Sequence, residues 1–166
     1  NGINILKTKA VFITHTHMDH IGGLGNLLWY IRKINAVNKM QEMDGRNIDI
    51  FSPVTQSVEG FFTVLNNTEG DFICPYTHTT SKIYEGLIYK DCEDGIEIYA
   101  HPTAHLPPDE NGDPRSFSFT VKENEKTVVF SGDMRLEDIE GILPDECDAF
   151  FVETGHHQIE DVCEEI

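Results

Sequence analysis

A chain of 166 residues, 39% hydrophobic and 25% charged, is long enough to bury a core and reads as one globular domain over residues 1–166. Its 12 basic and 29 acidic residues give a net charge of −17, a field that repels a phosphate backbone, so nucleic acid is not an expected partner. No apolar run approaches the length needed to span a bilayer and no charged-then-apolar leader is present, so a cytoplasmic protein without a membrane anchor is expected.

Residues 10–13 (AVFI) predict a buried strand. The sequence then turns through THTHMDH at 14–20 and two glycines, Gly22 and Gly23, which let the backbone turn tightly into a helix. Leu27, Leu28, Ile31 and Ile34 recur at helical spacing along that helix. Residues 48–53 (IDIFSP) read as a short strand closed by Pro53. Residues 55–66 read as a helix with Val58, Phe61, Phe62 and Leu65 on one face. His78, in YTHTTS, reads as a solvated residue of a polar loop. KIYEGLIYK and GIEIYA have strand composition.

Residues 107–115 (PPDENGDPR) form an acidic loop beside His105. Residues 116–132 predict a hairpin turning at KENEK, and residues 134–143 a helix. Residues 148–154 (DAFFVET) predict another buried strand, and IEDVCEEI a last helix. Strands alternating with helices, plus one antiparallel hairpin, give a mixed α/β class with helices covering a sheet. Cys74, Cys92, Cys147 and Cys163 form no CxxC pair and are read as reduced, mostly buried thiols.

The turn at 14–20 carries the chemistry. His15 and His17 leave a strand end on one side because side chains alternate there, and Asp19 and His20 follow two residues later. Imidazole and carboxylate donors suit zinc, iron or manganese. Such a turn can feed two adjacent ions, one from each pair. Crowded polar donors at a strand end cost stability unless something binds them.

THTHMDHIGGL resembles the signature turn of the metallo-β-lactamase-fold hydrolases. HPTAHLPP resembles that superfamily's next ligand segment, and TVVFSGDM its strand ending in a bridging aspartate. The resemblance implies an αββα sandwich with a dinuclear metal site. His15, His17 and His105 would hold the first ion, Asp19 and His20 the second, and Asp133 would bridge. Asp19 and Asp133 then count as catalytic. It implies two zinc ions per full-length domain, with iron or manganese as alternatives.

It also implies strands before residue 10 and a closing histidine on a strand after residue 166. The chain is therefore expected to be the middle of a longer protein, incomplete at both ends. The implied activity is metal-dependent hydrolysis, in which two ions activate water against an ester-, lactone- or phosphodiester-type substrate. A small-molecule substrate is the expected partner, and homo-oligomerisation stays open. Two readings compete with it: a metal-binding fragment without turnover, and a diiron oxidoreductase domain.

Outside the motif, His101 reads as a structural residue or one that supports a ligand. Glu153 is expected to orient a histidine. His156 and His157 are expected either to line the substrate site or to substitute as ligands, against the plainer reading of a loop before a helix.

Overall fold

The computed structural model describes residues 2–68 and 76–166. They divide into two compact units, one ending at Lys82 and the other starting at Ile83. Each has its own sheet, so the chain is mixed α/β as expected.

In the first unit, β1 (Ala10–Phe12), β2 (Asn47–Ser52) and β3 (Thr77–Lys82) form a parallel sheet in that order. Parallel neighbours need crossovers, and helices supply them. α1 (Met18–Ile21) and α2 (Gly23–Arg32), extended by a π-helical turn over Lys33–Val37, lie between β1 and β2. α3 (Thr55–Thr68) follows β2. Ile48, Ile50 and Ser52 alternate inward along β2, and Leu24, Leu28 and Ile31 recur on one face of α2. With Val58 and Leu65 of α3, the apolar residues among them make one buried cluster, against which Leu27, Ile34, Phe61 and Phe62 pack.

Gly25 lets the two longer helices close, because a Cβ there would sit 2.9 Å from the Phe61 ring. Gly22 is needed for a different reason than a tight turn. Its φ of −59° is helical, but a Cβ there would press on the Met18 carbonyl oxygen. Gly23 has open space around it.

In the second unit, β4 (Gly86–Asp91), β5 (Ile96–Pro102), β6 (Phe117–Glu123), β7 (Lys126–Phe130) and β8 (Ala149–Phe151) form one sheet in chain order. All pairs are antiparallel except β7 with β8. The predicted hairpin is β6–β7, turning with Asn124 at φ 54°, a conformation asparagine tolerates. α4 (Ile139–Ile142) and α5 (Ile159–Glu165) bury Ile139, Ile142 and Val162 around Met134. Among the described residues, no helix is long and apolar enough to cross a membrane.

Several expectations are corrected. His78 sits in β3, where its ring stacks on Phe62 with centroids 3.7 Å apart, because a sheet edge tolerates the polar THTTSK run. Residues 134–143 hold a 3-10 turn, Leu136–Asp138, and a single α-helical turn instead of one continuous helix. Residues 148–154 hold only a three-residue strand, whose Phe151 is 58% exposed at the sheet edge. Cys92, Cys147 and Cys163 are exposed, since they lie in a turn, a loop and the outer face of a short helix. Cys74 lies outside the described residues.

Candidate metal centre

The first unit gathers its donors in the loop after β1. Ile13 still pairs with the sheet, its N–H bonding the Phe51 carbonyl at 2.9 Å. The chain then leaves it, and His17 becomes the residue before α1. His15 and His17 do come together, with Nε2 of one 3.1 Å from Nδ1 of the other, although the loop and not strand alternation brings them there. Two imidazole nitrogens bound to one zinc-class ion at about 2.0–2.1 Å stand roughly 3.0–3.4 Å apart, so this spacing fits a shared cation.

His15 is fully buried, and its ring centroid lies 4.0 Å from that of His20. Thr14 Oγ1 reaches Nδ1 of both, at 3.2 Å and 3.4 Å. That contact orients each ring and leaves the His15 Nε2 edge toward His17. Asp19 is 80% exposed, with Oδ2 3.6 Å from His20 Nε2.

The second unit assembles its donors from three loops at one end of its sheet. His105 follows β5, Asp133 follows β7, and Glu153, His156 and His157 follow β8. Asp133 Oδ2 lies 3.4 Å from His105 Nε2 and 3.8 Å from His156 Nδ1. The His105 and His156 rings are 5.0 Å apart. His157 Nε2 turns instead to the Met134 carbonyl, 2.9 Å away, and lies 3.8 Å from Glu153 Oε1.

Glu153 accepts from the N–H groups of Gly155 and His156 at 2.6 Å and 3.0 Å, and its other oxygen meets His156 Nδ1 at 3.0 Å. Burial alone would raise its carboxyl, but those two N–H groups and the His156 ring outweigh burial and hold it below the ordinary glutamate value. His101 lies in β5, bonded through Nε2 to Thr120 Oγ1 at 3.1 Å. Residues 107–115 close on themselves, with Asp109 Oδ1 accepting from the N–H of Asn111 and of Asp113.

Hydroxyls and one carboxylate fix these loops to one another. Thr103 Oγ1 donates to the Asp133 carbonyl at 2.9 Å. Ser116 Oγ donates to the Thr103 carbonyl at 2.9 Å and accepts from Leu106 N–H. Ser131 Oγ accepts from Glu153 N–H at 3.0 Å. Asp138 Oδ2 accepts from Ala104 and Arg135 N–H at 2.9 Å and 2.8 Å, tying the His105 loop to the Asp133 loop. None of these four residues, nor Thr14, stands out from composition. A signal does exist: Thr103 and Ser131 each sit two places before a donor, His105 and Asp133.

A family model described as "Anti-Pycsar protein Apyc1" matches residues 1–160. No curated protein matches the sequence closely. The crystal structure of human tRNase Z, short form, is similar with a TM-score of 0.64 at 18% identity, over 90% of this chain and 59% of that one. Zn(2+)-bound PqqB from Methylobacterium extorquens matches with a TM-score of 0.43 at 13% identity, over 86% of this chain and 44% of that one. CmlA, a diiron β-hydroxylase from Streptomyces venezuelae, matches with a TM-score of 0.44 at 14% identity, over 87% and 25%. The chain thus spans less than two thirds of each of these proteins. The tRNase Z likeness speaks for the fold alone, and that fold is the metallo-β-lactamase fold.

Proposed function

The chain belongs to the Anti-Pycsar protein Apyc1 family, and on that premise we propose a metal-dependent hydrolase acting on a small ester-, lactone- or phosphodiester-type substrate. His15, His17, Asp19 and His20 of the first unit and His105 and Asp133 of the second would be the metal donors, with Asp19 and Asp133 counted as catalytic. Zinc is the first choice for donors of this kind, with iron or manganese as alternatives. The net charge of −17 favours a small substrate over a nucleic acid.

The observation that carries the reading is the state of Asp133. It is 5% exposed, and its Oδ2 faces imidazole nitrogens at 3.4 Å and 3.8 Å. A nearly buried carboxylate facing two imidazole nitrogens is a donor set of the kind that a zinc-class cation takes. Bound there, a divalent metal would acidify water and stabilise the negative charge that develops on the substrate oxygen. The chain's own part is to hold these donors still. Thr103 fixes the Asp133 backbone, and Thr14 fixes the imidazoles of His15 and His20.

The test is metal content by elemental analysis beside turnover of bis(4-nitrophenyl) phosphate and a simple lactone, on the native chain and on Asp133→Ala. The native chain is expected to hold zinc-class metal. Asp133→Ala is expected to lose at least about a hundredfold in metal affinity, since even outer-shell losses cost roughly 10–100-fold. Unchanged metal content and turnover in Asp133→Ala would overturn the reading.

A further inference from the structure

Glu153 and His156 take no part in the donor assignment above, yet both lie beside Asp133. One ligand atom from each of Asp133, Glu153 and His156 falls within 4.8 Å of the other two. His156 Nδ1 is the pivot, 3.0 Å from Glu153 Oε1 and 3.8 Å from Asp133 Oδ2. An ion with bonds of about 2.0–2.2 Å to nitrogen and oxygen sets neighbouring donors roughly 3.0–3.5 Å apart. The first spacing already fits, and the second needs a shift of a few tenths of an ångström.

We propose that Asp133, Glu153 and His156 form a metal position contained within the second unit, taking a zinc-class divalent cation through one oxygen from each acid and one imidazole nitrogen. It deepens the hydrolase reading and rests on it through Asp133 alone. Two features support a site over a simple ion pair. The first is the chemistry: two carboxylates, with side chains only 7% and 13% exposed, converge on one imidazole that is 48% exposed. Asp133 also meets His105 Nε2 at 3.4 Å and Glu153 lies 3.8 Å from His157 Nε2, so imidazoles already answer part of this charge, and a divalent ion would take both acids together with the His156 imidazole.

The second is that the acids are held from behind. Glu153 is fixed by Gly155 and His156 N–H on Oε2 and by its own N–H on Ser131, leaving Oε1 toward the imidazole. Asp133 is fixed through its carbonyl by Thr103. Rigid acids with the histidine at the rim leave an open side for water or substrate, as a catalytic position requires.

Cobalt(II) titration tests this, read by visible absorption and by equilibrium dialysis. In the native background, Glu153→Gln and His156→Ala are each expected to weaken one equivalent of cobalt by about tenfold to a hundredfold or more. Gln keeps an oxygen for the backbone N–H groups, so the loop is retained. A variant without the first unit's donors, His15→Ala/His17→Ala/Asp19→Ala/His20→Ala, is expected to keep one equivalent that either further replacement removes. Circular dichroism checks that it folds. If it does not, the native-background pair decides alone.

Cobalt binding unchanged in both single variants would overturn the proposal and leave His156 as an ion-pair partner. Loss in His156→Ala without loss in Glu153→Gln would overturn the three-ligand site. The hydrolase reading fails separately, on Asp133→Ala, however the Glu153 and His156 variants behave.

Discussion

The two units reach a cluster of donors by opposite routes. In the first, four donors sit within six consecutive positions, His15 to His20, and a parallel sheet only has to end there. In the second, three groups of donors lie 20 or more residues apart, at 105, 133 and 153–156, and a sheet in chain order, antiparallel except between β7 and β8, brings three loop ends together. A local cluster depends on one turn and the core beneath it. A distributed cluster depends on the bonds between loops. Variants that strike the core should therefore injure the first unit most, and variants that strike loop-to-loop bonds should injure the second.

The largest effect expected is from Ile50→Ala. Ile50 is fully buried in the middle strand of the parallel sheet, and its register partner on β1 is Val11, two residues before Ile13. Removing it leaves a cavity under the strand that leads into the histidine turn. Urea unfolding should show a loss of about 2–5 kcal/mol. A loss below about 1 kcal/mol would mean that the parallel sheet is not what holds the first unit.

Asn35→Ala comes next. Asn35 is buried in the middle of the π-helical turn, donating to Asp44 Oδ1 at 2.8 Å and accepting from Met43 N–H at 2.7 Å. Its loss strands a buried N–H and is expected to cost about 1–3 kcal/mol. Met43, itself fully buried, would lose its anchor. Hydrogen exchange at the Met43 amide should rise with the destabilisation; an unchanged amide would show that the bond is not what protects it.

Ile50→Ala concerns a part of the fold that the sequence already displays, whereas the bonds of Asn35 to Asp44 and Met43 follow no local pattern. The inward alternation of Ile48 and Ile50 and the helical recurrence of Leu28 and Ile31 are plain in the residue order, because local periodicity mirrors burial. The histidine turn is plain because its donors are contiguous. The rest is hidden for reasons of the same physics. β3 lies at a sheet edge, where exposed Thr77, His78 and Thr79 need no apolar pattern. Cys92, Cys147 and Cys163 lie in turns and on helix faces that composition does not mark. Thr103, Ser131 and Asp138 work through partners about 20 to 35 residues away, and nothing local announces a long-range hydrogen bond.

Asp138→Ala targets that hidden layer. One carboxylate oxygen accepts from Ala104 N–H, beside His105, and from Arg135 N–H, near Asp133. The partly exposed site limits the stability cost to about 1 kcal/mol, as for the loss of a helix cap. The functional cost should be larger in proportion. His105 and Asp133 lose their common tether, and zinc affinity is expected to fall about tenfold, at the lower end of supporting-residue losses. Equal losses of metal affinity in Asp138→Ala and in Asn35→Ala would erase the contrast between the two units.

The smallest effect separates two histidines, one in each unit. Burial lowers the pKa of His78 below 6.5, because one face of its ring is covered by Phe62. Burial also lowers that of His101; Glu85 opposes the shift and Lys122 adds to it. The sign is the same for both. Above pH 6.5 the folded and unfolded states both carry neutral rings, and the full stability is present. As pH falls below 6.5 the unfolded chain takes up the proton first, and stability declines until the folded value is passed. His101 lies inside a five-stranded sheet, bonded to Thr120, while His78 occupies an exposed edge strand. The second unit's histidine should therefore account for more of the decline. Thermal melts at pH 7.5 and 5.5 should show a smaller acid-induced drop in Tm for His101→Gln than for the native chain, with His78→Gln closer to native. The reverse order would mean that the stacked ring on the exposed edge is the more deeply desolvated of the two, and that exposure of a strand is a poor guide to the solvation of an aromatic face upon it.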